Sequence, residues 1–354
     1  MPNPRPSLLS ACVFVMLASL ASAQDAPPAP TEPAIVEVIP LGTAGGPPIR
    51  INRSEPATLV RVDDKLYLVD TGIGTVRRLV QAGGSVAGLN ALFITHLHPD
   101  HVMDLTALIS DRLFALGNGA PVGPLQVYGP PGTEAIGAVA ISFVDLAFET
   151  FFVQGWGAKF QKPYVVFHDV PEGAFFRDGT VEVSAQENTH YVLMTDEERE
   201  IYKTYAFRMN TPNGDILFTG DTGPDERMHG FGKDVDLMVG EVTNLAEMKV
   251  LLTRMLSGTP AESVLPVFIE HIQRQHLEPE EVARIANGAN AGAVVLNHFG
   301  PDAETAGTDV IREGVQAAYD GDVYVPEDLQ VYCLTRPAGA PRAEVSLCRS
   351  EATP

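Results

Sequence analysis

The stretch Thr95-His96-Leu97-His98-Pro99-Asp100-His101 contains four potential metal ligands within six residues. It continues the short apolar run Leu92–Thr95, which predicts a buried strand, so the ligands lie on the loop that leaves this strand. Alternation along the chain directs the first two histidines to one side, and the proline turns the aspartate and the third histidine after them. Imidazole and carboxylate groups together suit zinc or a similar first-row ion, so this loop predicts a metal site.

Three more potential ligands occur later in the chain, and each follows a predicted strand. They are His190, Asp221 and His298. One edge of a sheet sandwich can present all of these side chains together with the first loop. Five of the nine histidines fall in these motifs, which disfavours the alternative of a polar loop with solvated histidines.

Together these motifs resemble the metallo-β-lactamase superfamily in its two-metal form. The resemblance implies an α/β (α+β) fold, a four-layer αββα sandwich with two Zn²⁺ ions, or other first-row divalent metals, at the sheet edge. It implies that Asp70 braces the metal loop without binding metal. By the family pattern, one metal would be held by His96, His98 and His190, the other by Asp100, His101 and His298, and Asp221 would bridge them.

Two further motifs resemble the ribonuclease Z-like branch of this superfamily. They are residues 236–243, Asp-Leu-Met-Val-Gly-Glu-Val-Thr, and the stretch that begins at His276. The resemblance implies that Glu241 orients His276 for proton transfer. Glu241 and His276 are therefore expected catalytic residues, together with the metal ligand Asp100. Gly240 and Leu277 depart from the branch, where a histidine and a small hydroxyl residue are usual. An aspartate at the bridging position is also unlike the true β-lactamases.

Charge and composition narrow the expected substrate. The chain has 354 residues, with 45 acidic and 24 basic side chains and a formal charge of −21. A nucleic-acid backbone requires clustered Lys and Arg, and no Gly/Pro-rich basic arm occurs, so we expect no nucleic-acid partner. The branch also includes secreted arylsulfatases, which fit an exported protein better than RNA processing does.

The expected activity is hydrolysis of a small-molecule ester by an exported dinuclear zinc enzyme, through attack by a metal-bridging hydroxide. A sulfate or phosphate (di)ester is the preferred substrate. A lactone or other carboxylic ester is the alternative, because the same metal core serves lactonases. A tRNA 3′-end endonuclease and a non-catalytic metal-binding protein rank lower.

The N-terminal residues have the pattern of an export signal. Residues 1–23 combine one arginine, an apolar run and Ala21-Ser22-Ala23, which predicts a signal peptide cleaved near Ala23 and a periplasmic or secreted protein. Residues 24–33 form a Pro-rich leader, and 34–354 form the hydrolase domain, with no further membrane span expected. In an exported chain Cys333 and Cys348 can form a disulfide, although two unrelated thiols are the alternative.

Hydrophobic periodicity predicts many strands and several helices without strict alternation. The strands are expected at Ile35–Thr43, Ala57–Val62, Lys65–Val69, Leu92–Thr95, Gly179–Ala185, Tyr205–Met209, Ile216–Thr219, Leu237–Val239 and Ala293–Leu296. The helices are expected at Gly74–Ala82, Asp104–Ala115, Ala246–Gln275 with a break at Gly258-Thr259-Pro260, and Pro279–Ala286.

Two segments allow more than one interpretation. Residues 141–167 are an aromatic-rich insertion, which either packs as core or forms an apolar lid over a substrate pocket. The long span 246–275 fits core packing, while a homodimer face is left open. A surface role is expected for the other histidines, which are His168, His229 and His271.

Overall fold

The structure is a computed structural model that describes residues 35–156, 163–301, 303 and 307–348. The predicted signal peptide, residues 1–23, and the leader, residues 24–33, lie outside the described residues. All of the described residues belong to one compact unit.

The first sheet has eight strands, in the order β15-β14-β1-β2-β3-β4-β5-β6. Strands β3 to β6 are parallel, and β1 runs in the same direction because two antiparallel pairings separate it from β3. The strands are β1 (Val36–Gly42), β2 (Ala57–Val62), β3 (Lys65–Val69), β4 (Leu89–Phe93), β5 (Leu125–Gly129), β6 (Val165–Asp169), β14 (Tyr332–Thr335) and β15 (Glu344–Leu347).

The second sheet has seven strands, in the order β13-β12-β11-β10-β9-β8-β7. Strands β10 to β13 are parallel, and β8 shares their direction because it is antiparallel to β9, which is antiparallel to β10. The strands are β7 (Gly173–Arg177), β8 (Glu182–Glu187), β9 (Tyr205–Thr211), β10 (Gly214–Phe218), β11 (Leu237–Glu241), β12 (Ala293–Asn297) and β13 (Asp322–Tyr324).

Helices pack on the outer faces of the two sheets or lie in the connections between strands. They are α1 (Thr75–Gln81), α2 (Pro99–Val102), α3 (Leu105–Gly117), α4 (Thr133–Phe151), α5 (Asp196–Ile201), α6 (Arg227–Phe231), α7 (Leu245–Leu256), α8 (Leu265–Gln275), α9 (Pro279–Gly288) and α10 (Asp309–Gln316). One apolar cluster lies between the two sheets, a second lies under α3 and α4, and a third lies under α9 and α10. These four layers confirm the predicted αββα sandwich.

Strand direction decides where polar side chains can gather. Parallel strands end at the same edge of their sheet, so the loops that leave β3 and β4 in one sheet and β8, β10, β11 and β12 in the other are neighbours. A short parallel bridge between Ala44 and Phe299 joins the loops of the two sheets at this edge. Every candidate ligand lies in one of the connections that begin with these loops.

The sequence patterns do not predict six of the strands, namely β5, β6, β7, β13, β14 and β15. Each of these strands has five residues or fewer, and polar residues interrupt most of them, so hydrophobic periodicity is weak in these segments. Other expectations are confirmed: the long helical span is divided at Ser257–Ala261 into α7 and α8, and Cys333 and Cys348 form a disulfide. The Cα atoms of these cysteines are 5.8 Å apart, and the bond joins β14 to the end of β15.

The aromatic-rich residues 141–167 form the end of α4 and the start of β6 in the described part of the chain. Helix α4 follows β5, whose carboxyl end lies at the edge that carries the candidate ligands (hereafter the metal edge), and leads to the start of the parallel strand β6. The aromatic end of α4 therefore lies towards the opposite edge of the sheet. Phe148, Phe152, Tyr164 and Phe167 pack in the cluster beneath this helix.

One described helical segment, Thr133–Gly155, is long and apolar enough by length and composition to cross a membrane. A core helix meets the same criterion. Ala140 and Val144 on its inner face are buried against the first sheet, while Val139 and Phe143 on its outer face are exposed. Thr133–Gly155 is thus the one candidate for a membrane span among the described residues, and its inner face packs on the first sheet.

Candidate metal centre

The structure brings all seven predicted ligands together at the edge where the strands end. His96 and His98 follow β4, Asp100 and His101 lie in α2, His190 follows β8, Asp221 follows β10 and His298 follows β12. These side chains are buried or largely buried, although none is apolar. Buried polar groups require partners, so the way these groups are paired indicates what the site can bind.

One ligand cluster consists of His96, His98 and His190, which each place one ring nitrogen within 4.8 Å of those of the other two. The Nδ1 atom of His98 is 3.1 Å from Nε2 of His190. Ligand atoms around a tetrahedral zinc ion, at about 2.1 Å from the metal, are about 3.4 Å apart. The cluster therefore has the spacing of a three-nitrogen metal site.

The second cluster consists of Asp100, His101, Asp221 and His298. His298 Nε2 is 3.0 Å from an oxygen of Asp221 and 3.3 Å from an oxygen of Asp100. Asp221 also approaches the first cluster, because its Oδ2 is 3.8 Å from Nε2 of His96. Asp221 thus lies between the two clusters, in the position of a bridging ligand.

Hydrogen bonds from outside the clusters orient the histidines. The Nδ1–H group of His101 donates to Asp70, at 2.9 Å, and Asp70 also accepts from Thr95. The Nδ1–H group of His190 donates to the backbone carbonyl of Gln275, at 2.8 Å. These bonds direct the opposite ring nitrogen, Nε2, into the site, as in metal-ligating histidines, and Asp70 has the bracing position that the resemblance implies.

Two buried ring nitrogens have no hydrogen-bond partner among the described residues, namely Nε2 of His96 and Nε2 of His101. An unpaired buried polar atom costs about 1–3 kcal/mol, so such atoms are rare unless a ligand satisfies them. Both nitrogens face the clusters of acceptor atoms described above. The residues present therefore fit a divalent metal, and the centre can hold one.

The ionisation of the first cluster suits metal binding. Burial lowers the pKa of His96 and that of His190 well below the ordinary histidine value. Burial also lowers the pKa of His98 to about 4. All three imidazoles are therefore neutral at pH 7, which is the form that binds a metal.

The aspartates of the second cluster stabilise positive charge beside them. Burial opposes ionisation of Asp221, but His298 and His101 beside it hold the pKa of this carboxyl well below its usual range. Burial likewise opposes charge on His298, but Asp221 and Asp100 raise the pKa of this histidine to about 10. The two aspartates thus stabilise a positive charge between them, at the position where a metal would bind.

Glu241 and His276 form a hydrogen-bonded pair beside the clusters. His276 Nδ1 donates to Glu241 at 2.7 Å, and the second oxygen of Glu241 accepts from the backbone of Thr222. Burial opposes charge on His276, while Glu241 raises the pKa of this histidine above its usual value. The ring lines the cavity next to the ligands, so Nε2 is placed to transfer a proton there.

The two departures from the ribonuclease Z-like pattern have a structural explanation. A Cβ atom at Gly240 would meet Met238 and Val282, on the face of β11 away from the ligands. A side chain at position 240 would therefore lie away from the ligands, and the glycine there takes no ligand from the metal centre. Leu277 is fully buried in the apolar cluster beneath α9 and contributes to packing instead.

The glycines Gly45 and Gly46, which the sequence indicated only as a loop, contact the metal centre. Gly46 N–H donates to Asp100 at 2.9 Å. A Cβ atom at Gly45 would lie 2.6 Å from the His298 ring, and one at Gly46 would lie 2.3 Å from Asp100. Only glycine allows this approach, and a Gly-Gly pair after a strand was the available signal.

A cavity of about 430 Å³ opens beside the ligands. The loop Gly45–Pro48 lines one side, and apolar residues of α7 and α8 line the other. The expectation that this helical span is core packing is wrong, because only Leu245, Met248 and Gln275 are buried within the two helices. The helices instead form a wall of the cavity, which sequence periodicity could not reveal.

The remaining histidines differ in position. His271 lines the cavity, and its ring centroid is 5.3 Å from that of His276, so the surface role expected for it is wrong. His168 bonds to Gln126 and His229 packs against Gly288, away from the ligands. Residues 141–156 and 163–167 do not line this cavity, so the described part of the aromatic segment forms no lid over it. Its aromatic side chains Phe148, Phe152, Tyr164 and Phe167 pack as core, and residues 157–162 lie outside the described residues.

The αββα sandwich and the converging His and Asp side chains define a metallo-hydrolase. Residues 66–299, more than half of the chain, match the family described as Beta-lactamase superfamily domain. The chain belongs to the metallo-β-lactamase superfamily, in its ribonuclease Z-like branch.

Curated relatives match most of the chain. Ribonuclease Z from Mycobacterium sp. (strain KMS) is 30% identical over 298 residues, which are 83% of this chain and 95% of the relative. Ribonuclease Z from Mycolicibacterium paratuberculosis is 30% identical over 302 residues, covering 83% of this chain and 97% of the relative.

Solved structures share the fold at lower identity. The metallo-beta-lactamase fold protein YhfI from Bacillus subtilis has a TM-score of 0.59 at 18% identity, covering 84% of this chain and 99% of that protein. The short form of human tRNase Z has a TM-score of 0.55 at 20% identity, covering 83% and 98%. At these identities the similarity establishes the fold alone.

Proposed function

We propose that this chain is an exported dinuclear zinc hydrolase of a small ester, with a sulfate ester or a phosphate diester as the preferred substrate. The observation that carries the proposal is the pair of ligand clusters joined through Asp221, with Glu241 and His276 beside them. Two bound metal ions would supply a water of lowered pKa and would stabilise negative charge at the attacked centre.

Residues of the chain supply the other functions, which are negative charge for the metals, positioning and proton transfer. Asp100 and Asp221 provide the negative charge, and the backbone N–H of Gly46 fixes the position of Asp100. His276 gives its Nε2 proton to the departing oxygen, and Glu241 keeps the ring oriented and charged for this transfer. Zinc is favoured because the donor set consists of imidazole and carboxylate groups.

Export is supported by two separate observations. The N-terminal sequence has the pattern of a cleaved signal peptide, and the Cys333–Cys348 disulfide is typical of an oxidising compartment. Expression in a bacterium should yield periplasmic protein whose N-terminus is Gln24. Recovery of the uncleaved chain from the cytoplasmic fraction would contradict this part of the proposal.

Two other substrate classes have specific support. Lactone or carboxylic ester hydrolysis needs the same stabilisation of negative charge, at a carbonyl instead of a phosphorus or sulfur centre. RNA cleavage is favoured by relatives named Ribonuclease Z at 30% identity. The formal charge of −21 opposes it, because binding a phosphate backbone requires clustered basic side chains.

The experiment is an assay of the purified zinc-loaded protein against one panel. The panel contains p-nitrophenyl sulfate, bis(p-nitrophenyl) phosphate, p-nitrophenyl phosphate, a set of lactones and a precursor tRNA. We expect hydrolysis of the sulfate or the diester, about two zinc ions per chain by elemental analysis, and loss of activity after chelation. Fully loaded protein that cleaves only the precursor tRNA, or none of the panel, would refute the proposal.

A further inference from the structure

The helices α7 and α8 form a hairpin that presents one apolar surface to the cavity. Met248 and Leu252 are one turn apart on α7, and Phe268 and Ile272 are one turn apart on α8. Residues four apart lie on the same face of a helix, so each helix turns a pair of apolar side chains to the same space. All four side chains line the cavity together with the metal ligands.

Packing within the protein does not account for this surface. Phe268 is 47% exposed, and Leu252 and Ile272 are only partly buried. The hairpin has no buried residue on its cavity side except Met248. An apolar concave surface that stays accessible to water gains free energy when an apolar ligand covers it.

The hairpin also determines which part of a substrate it would contact. Helix α8 ends at Gln275, and His276 follows it directly, with its ring stacked 5.5 Å from the ring of His298. The proton donor and the apolar surface therefore lie on the same side of the metal ligands. The group that receives the proton is the leaving alcohol, so this is the part of the ester beside the hairpin.

The charges around the cavity limit the substrate further. Within the part of the chain that the structure describes, no lysine or arginine lines this cavity. Its ionisable lining residues are Asp100, Asp221 and four histidines, which belong to the ligand clusters and the proton-transfer region. A polyanion would thus find no counter-charge beyond the metal centre. An ester with one negative charge or none would need no counter-charge other than the metal centre.

We propose that the α7–α8 hairpin is a binding subsite for an apolar leaving group, so that the enzyme prefers monoanionic or neutral esters of alkyl or aryl alcohols. The inference rests on the proposed ester hydrolysis. In the reaction, water oxygen bonds to the central atom as the bond to the alcohol oxygen breaks. The alcohol oxygen keeps the electron pair and takes the proton from His276 Nε2. The attacking water loses one proton, which balances the proton that His276 gives up.

The test is a series of esters with one acid and with methanol, butanol and hexanol as leaving groups, assayed with zinc-loaded protein. Burial of apolar surface predicts a rise in kcat/KM of about fourfold per methylene group. Phe268→Ala and Leu252→Ala should flatten this dependence, because they should lower kcat/KM for the hexyl ester much more than for the methyl ester. Val267→Ala is the matched control, because Val267 lies on the same helix, is 66% exposed and does not line the cavity.

Equal kcat/KM values along the series in an active enzyme would overturn the subsite, as would variants that slow every ester equally. Failure of the proposed function is distinguishable, because the loaded protein would then hydrolyse none of the esters. In that case saturation-transfer NMR with butanol and hexanol still tests whether the hairpin binds apolar alcohols. The subsite predicts that hexanol binds at least about tenfold more tightly than butanol to the wild type and that Phe268→Ala removes the difference. Equal binding of the two alcohols to the wild type would contradict it.

Discussion

Helix α4 and the α7–α8 hairpin are both apolar and both partly exposed, but only the hairpin borders the metal centre. Helix α4 exposes Val139, Phe143 and Leu146, and the hairpin exposes Phe268. The single helix α4 starts near the metal edge and carries the chain to the opposite edge. The hairpin starts from β11 at the metal edge and returns to it, because its two helices run in opposite senses.

This difference shows that apolar composition does not locate a substrate surface. The segment 141–167 has more aromatic residues than the hairpin, yet Phe148, Phe152, Tyr164 and Phe167 in its described part pack over the first sheet. Connectivity decides which apolar surface borders the metal centre. A single helix after a strand carries the chain away from the metal edge, whereas a pair of antiparallel helices brings the chain back to it. The following predictions test whether function is confined to the metal edge and the hairpin.

The largest effect is expected for Asp221→Ala. Asp221 lies 3.0 Å from His298 Nε2 and 3.8 Å from His96 Nε2, so its removal takes a ligand from both clusters. Activity should fall by about 10³-fold or more, beyond the cost of one lost electrostatic donor. Metal content should fall below two ions per chain in elemental analysis. A variant that keeps both metals and most activity would exclude a bridging role.

His276→Ala should have a large effect that depends on the leaving group. A general acid contributes about 10²–10⁴-fold, mainly when the departing oxygen is a poor leaving group. The loss should therefore be large for alkyl esters and small for p-nitrophenyl esters of the same acid, while zinc content is unchanged. Glu241→Gln should show the same pattern more weakly, since Gln can still hold the ring but favours its charge less. Equal losses for both leaving groups would assign His276 a structural role.

Asp70→Asn should weaken metal binding without removing a ligand. Asp70 accepts from His101 and from Thr95, and the loss of such outer contacts typically costs 10–100-fold in metal affinity or activity. Competition with a chelator measures the affinity, and excess zinc should restore most of the activity. Failure of zinc to restore activity would show that Asp70 acts in some other way.

The smallest effect is expected on α4. Phe143 is 62% exposed and does not line the cavity, so Phe143→Ser should change the free energy of unfolding by no more than about 0.5 kcal/mol. The values of kcat/KM along the ester series should match those of the wild type. A selective loss for long-chain esters would bring α4 into the substrate surface and remove the contrast with the hairpin.

The candidate ligands were predictable because a short motif carries them. The segment from His96 to His101 places four ligands within six residues. Each of the other three ligands follows a strand, namely His190, Asp221 and His298. Alternation and parallel strand order then bring them to one edge without further information. The strands β5, β6 and β7 were not predictable, since their short and mixed sequences become strands only beside a neighbour.

Other features of the site depend on contacts that a sequence does not contain. Asp70 and His298 both have left-handed backbone conformations, with φ of 61° and 56°, and surrounding bonds must maintain them. His271 reads as one more residue of an exposed helix, and only the position of α8 places it in the cavity.

The sequence by itself indicated the candidate metal ligands, the four-layer fold and the Glu241–His276 pair, since residue type and spacing carry the resemblance to the superfamily. The tertiary structure alone decided which apolar helix faces the metals and which glycines touch them. The physical reason is that ligand chemistry is a property of single side chains, whereas a cavity wall depends on where a connection begins and ends. The hairpin returns to the edge from which it left, and α4 does not.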